Sequence, residues 1–75
     1  MISPEELVAR AFGVSPGSVN EQTSNQTLAE WDSLGHITLV VELETAYGFS
    51  LSPDEALAVT SVAAIKKLLR DRGLS

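Results

Sequence analysis

The sequence predicts a small all-α bundle of three main helices and one short helix. Three observations carry this. Two Ser-Pro-x-Glu starts, at Ser3 and Ser52, each place a capping serine before a proline and a glutamate three residues on. Apolar residues then recur at helical spacing. Gly13 and Gly48 follow two of these runs where a left-handed stop is expected.

The first helix opens at Ser3, with Pro4 in its first turn and Glu6 completing a capping box, and Leu7, Val8, Ala11 and Phe12 form its apolar stripe. A long segment rich in Ser, Asn, Thr and Gly follows, with a short turn expected at Ser15 to Val19. A loop this long is disfavoured in a small domain unless it packs or functions. Val14, Val19, Leu28 and Trp31 are the residues available to pin it. The second helix runs from about Ser33 to Tyr47. Its "ITLVV" run is strand-like in composition, but its continuation through "ELETAYG" is too long for a strand and ends like a helix. Ser52, Pro53 and Glu55 start a short third helix that fades by Val59. The fourth begins at Thr60 or Ser61, carries Val62, Ile65, Leu68 and Leu69 on one stripe, and ends before Gly73. Its late cations suit the negative end of a helix dipole.

Size and charge narrow the function. The 75 residues make one domain, 1–75, with a modest core. No cysteine and a single histidine argue against disulfides and structural zinc, so no metal is expected. So small a chain has little material for the walls of a catalytic pocket. The net charge of -5 argues against nucleic acid. Through Ile65 the only basic residue is Arg10, against nine acids, which favours basic protein partners. There is no transmembrane run and no signal-peptide pattern, so a monomer in the cytoplasm is expected, away from membranes.

The second helix carries too much apolar surface. At about 100° per residue, Leu39, Val40, Leu43, Ala46 and Tyr47 share a core side. Leu34, Ile37 and Val41 form another stripe below Ser33, leaving Gly35, Thr38, Glu42 and Thr45 as the polar strip. A small domain needs one apolar face per helix, so the second stripe reads as a partner or cargo surface.

Asp32, Ser33 and His36 lie close enough to raise the question of a triad. Asp32, at the helix start, is poorly placed to orient His36, no G-x-S-x-G elbow is present, and His36 falls on the core side. It reads as a packed, hydrogen-bonded residue. Asp32 or Ser33 caps the helix. A base-free serine at the positive end of a helix, above an apolar stripe, suits a group attached through phosphate by another enzyme.

"DSLGHITLVVELETAYGFSL", "SPDEA" and "TSVAAI" resemble, in order and spacing from about residue 28 to residue 69, the acyl carrier protein family. They are similar to its Asp-Ser-Leu attachment motif, its E-x-x-[FY]-G helix end, its proline-started third helix and the T-[ST]-V before its fourth. The resemblance implies that Ser33 carries 4′-phosphopantetheine, placed there from coenzyme A by a phosphopantetheinyl transferase, and holds acyl or aminoacyl groups as thioesters. It implies a carrier, not an enzyme. It further implies that Asp32 serves transferase recognition and that Leu34, Ile37, Val41, Glu42 and Glu44 meet partners such as ligases, acyltransferases or ketosynthases. Gly35, Thr38, Thr45 and Ala46 depart from the acidic second helix of fatty-acid carriers. "WDSLGH" looks more like freestanding carriers of polyketide, mixed peptide or cell-envelope pathways. Without a modification, the same face would define a helical protein-interaction module.

Overall fold

The computed structural model describes residues 2–74. Four α-helices follow in order: α1 (Pro4–Phe12), α2 (Ser33–Tyr47), α3 (Pro53–Ala58) and α4 (Val62–Asp71), with a short 3-10 turn at Pro16–Ser18. The all-helical expectation holds. The one β-type pairing among the described residues is an isolated bridge between Ser24 and Ser61.

Each helix start has a local cause. The hydroxyl of Ser3 accepts from the Glu6 amide at 3.2 Å. The expected box at α1 is half made, because the Glu6 carboxylate accepts from the Ser3 hydroxyl at 3.3 Å instead of from its backbone N–H. At α3 both halves form: Ser52 Oγ accepts from the Glu55 amide and Glu55 accepts from the Ser52 amide. Asp32 caps α2 and Ser61 caps α4. Gly13 and Gly48 close α1 and α2 at φ of 68° and 72°, where a side chain would be strained.

The core joins Leu7 and Val8 of α1, Leu39, Leu43 and Tyr47 of α2, and Val62, Ile65 and Leu69 of α4. Of the stripe expected on α1, Ala11 and Phe12 are only half-buried, and Ala9 takes their place in the interior. Phe12 instead covers Trp31, with ring centroids 5.3 Å apart. Leu68 and Val40 likewise lie at the core's edge. Helix α3 buries no residue. It is held by Val59, which follows it into the core, by an Arg72–Glu55 ion pair at 2.6 Å, and by the contact of its Ala56 carbonyl with His36.

The long segment before α2 is packed. Val19 and Trp31 are buried, and Val14 and Leu28 rest against the core. Its backbone is also paired to the start of α4: the Asn25 amide donates to Thr60 O and the Val62 amide to Thr23 O, both at 3.0 Å. Buried Thr23 accepts from the Asn20 amide through Oγ1. The radius of gyration is 11.0 Å, close to the roughly 11 Å expected of a globule this long. Among the described residues, no helix is long and apolar enough to cross a membrane.

Candidate functional site

Ser33 is the first residue of α2 and lies exposed. Asp32 ends the extended approach, and its Oδ1 accepts from the Gly35 amide at 2.8 Å. The other first-turn amides, those of Ser33 and Leu34, have no intrahelical partner by position. The Ser33 hydroxyl makes no hydrogen bond with any described residue. The helix start thus presents a free hydroxyl beside unsaturated N–H groups, an arrangement that favours an attached phosphate.

Gly35 sets how closely α2 meets the chain before it. A Cβ there would collide with the Glu30 carbonyl oxygen and would lie 2.8 Å from the Phe12 ring. Read from the sequence as part of a polar strip, Gly35 is instead a half-buried point of close approach. Its smallness lets the segment 30–32 fold tightly over the first turn and fixes where Ser33 emerges.

His36 cannot serve as a base for Ser33. Its Nδ1 accepts from the Trp31 indole N–H at 3.0 Å. That contact leaves the proton on Nε2, which lies 2.6 Å from the Ala56 carbonyl oxygen and donates to it. Both nitrogens are therefore spent on structure. The ring lies beside Trp31, nearly parallel to it at a centroid distance of 6.4 Å, and links the segment before α2, α2 itself and α3. The packed, hydrogen-bonded histidine expected from the sequence is what is found, facing Trp31 and Ala56.

The second stripe of α2 is solvent-facing: Leu34, Ile37 and Val41 are 77%, 61% and 54% exposed. Leu57 of α3 joins them at 75%, and with Ile37, Val40, Val41 and Ala56 it lines an apolar groove of about 420 Å³ between α2 and α3. Sequence reasoning missed Leu57. Six residues are too few to show a helical period, so the side to which Leu57 turns is visible only in the fold. Glu42 is half-buried. Glu44 has an internal partner as well, because its Oε2 accepts from the Leu51 amide at 2.8 Å and closes the turn after α2. A second groove, of about 470 Å³, opens beside Ser33 between Asn25, Trp31, His36, Leu57 and Thr60.

Charges elsewhere stitch the helices together. Lys66 of α4 meets Glu5 at 2.7 Å and Glu21 at 3.0 Å. The Lys66 hydrogen bond holds the Glu5 carboxyl below the usual range, and its bonds to Glu5 and Glu21 raise Lys66. The Ser52 amide, then Arg72, lowers Glu55. Burial raises the Tyr47 phenol, which donates to Ile2 O at 2.7 Å. All of these groups belong to the framework.

These features define a small helical domain that offers an unassisted serine at a helix start, flanked by an exposed apolar face. The model of the phosphopantetheine attachment site family matches residues 5–69 of the chain, a span that includes Ser33. The acyl carrier protein of Rubrobacter xylanophilus is 34% identical over 58 residues, which cover 77% of this chain and 72% of that protein. The chain belongs to the acyl carrier protein family. The cofactor of that family is 4′-phosphopantetheine. The exposed hydroxyl, the first-turn amides and the adjoining groove fit such a group.

Proposed function

We propose that Ser33 is the attachment point of 4′-phosphopantetheine and that the chain is a passive carrier, presenting acyl or aminoacyl cargo to separate biosynthetic enzymes. The observation that carries this reading is the exposed, unbonded hydroxyl of Ser33 at the start of α2, with both nitrogens of the neighbouring histidine committed elsewhere. When bound, the arm supplies a terminal thiol for thioester formation. The residues of the chain position that arm and do no bond-making chemistry of their own. Having no base, Ser33 depends on the transferase to remove its proton.

Asp32 has two tasks in this reading. Oδ1 fixes the helix start through the Gly35 amide. Its second oxygen, without a partner among the described residues, is the group offered to the transferase and its magnesium ion. Leu34, Ile37 and Val41, extended by Leu57, form the docking face, and Glu42 supplies charge at its margin. Glu44 contributes less than its sequence position suggests, because one oxygen is held by Leu51. Ligases, acyltransferases and ketosynthases are the partner classes proposed.

The test is intact-mass analysis after incubation with coenzyme A, magnesium and a broad-specificity phosphopantetheinyl transferase. The wild type gains one phosphopantetheine and Ser33→Ala gains none. An unchanged wild-type mass would reduce the chain to an unmodified interaction module.

A further inference from the structure

Two grooves flank the start of α2 and share His36 and Leu57 as a common wall. Ser33 lines only one of them. Building on the assignment of Ser33, we infer that this groove, bounded by Asn25, Trp31, Thr60 and Leu57, seats the 4′-phosphopantetheine arm, and that His36 keeps the arm out of the apolar groove beyond.

The chemistry of the two grooves separates them. An arm of this kind alternates a phosphate, geminal methyls, a hydroxyl and two amides. Burying each amide without a partner costs about 1–3 kcal/mol. The groove between α2 and α3 is walled by Ile37, Val40, Val41, Pro53 and Leu57, with His36 its one polar side chain. Both nitrogens of that ring are already used. The Ser33 groove mixes the same kinds of surface: Asn25 and Thr60 offer an amide and a hydroxyl with no side-chain hydrogen bond among the described residues, Trp31 and Leu57 offer apolar surface, and Asp32 adds a carboxylate whose Oδ1 is held by the Gly35 amide. The far wall is fixed, because the Asn25 amide is bonded to Thr60 O at 3.0 Å. The His36 ring, tied to α3 through the Ala56 carbonyl, forms part of the wall that the two grooves share.

The test compares NMR spectra of labelled protein before and after conversion with coenzyme A, magnesium and transferase, with conversion verified by mass. Expected are shifts at Asn25, Thr60 and the Trp31 indole N–H, and contacts from the geminal methyls of the arm to Leu57 and Thr60. Asn25→Ala, which leaves the backbone pairing in place, weakens the Thr60 contacts. His36→Ala adds contacts to Val40. In fully converted wild type, shifts confined to residues 32–35, or methyl contacts to Val40 and Pro53, would overturn the inference. No gain of mass would overturn the Ser33 assignment and this inference with it. Should His36→Ala fail to fold, the wild-type and Asn25→Ala spectra decide.

Discussion

Replacing Gly35 by alanine tests the geometry that places Ser33. In an exposed helix interior the change stabilises a protein by about 1 kcal/mol, since glycine is a poor helix former. Here the added Cβ collides with the Glu30 carbonyl and sits 2.8 Å from Phe12 Cε1. The carbonyl cannot yield easily, because the next residue is Trp31, 2% exposed and bonded to His36. Overfilling a packed site costs about 1–3 kcal/mol. Against the propensity gain, the collision leaves a net loss of up to about 2 kcal/mol. For a domain of this size that lowers Tm by up to about 15 °C. Urea and thermal unfolding followed by the fluorescence of Trp31 reads the change directly. Any shift of the 30–32 segment also displaces Ser33, so conversion by the transferase slows in the folded variant. A Gly35→Ala protein more stable than the wild type by the full propensity gain of about 1 kcal/mol would refute the close approach.

Three further outcomes are expected. His36→Ala removes two hydrogen bonds, each worth about 1 kcal/mol, and leaves the Trp31 indole without its partner, so stability falls by about 2–4 kcal/mol. That is a large share of the roughly 4–11 kcal/mol available to a chain of this length, yet the folded fraction still accepts the prosthetic group, which a catalytic histidine would forbid. Arg72→Ala removes the cation lying 4.4 Å from the Phe49 ring centroid, a contact worth about 0.5–1 kcal/mol. With it goes the bond to Glu55, and hydrogen exchange in α3 accelerates. The carboxyls of Glu5 and Glu55 are lowered in the fold, so their stabilisation is present above the ordinary glutamate value of about 4.3 and disappears as pH falls below it. Tm therefore declines from pH 5 towards pH 3, and Glu5→Gln flattens that decline. Lys66 is raised, so its contribution persists below about pH 10.4 and is lost only in stronger alkali.

The helices were legible because their starts are written locally. Ser3, Asp32, Ser52 and Ser61 cap with their own side chains, and a three-residue spacing suffices to see it. The second apolar stripe of α2 was legible for a related reason: Leu34, Ile37 and Val41 exceed what one core face can bury, and they remain outside. What escaped depends on contacts distant in sequence. The pairing of Asn25 with Thr60 uses backbone atoms, which leave no periodic trace. Gly35 looked polar because a glycine is silent about what approaches it. Glu44 looked free because its partner, the Leu51 amide, lies beyond the helix stop. His36 was read correctly as hydrogen-bonded, but it is half-buried at the wall of two surface grooves and not in the core, and its partners, Trp31 and Ala56, required the fold.

The central claim is that one serine, at the start of α2, receives the prosthetic group. Proteolysis of the transferase-treated protein, followed by fragment sequencing in the mass spectrometer, tests it most directly, because the chain also holds Ser24, Ser52 and Ser61 at other turns and helix caps. The added phosphopantetheine is predicted on Ser33 alone. Its appearance on any other serine, or its presence in the Ser33→Ala protein, would contradict the account.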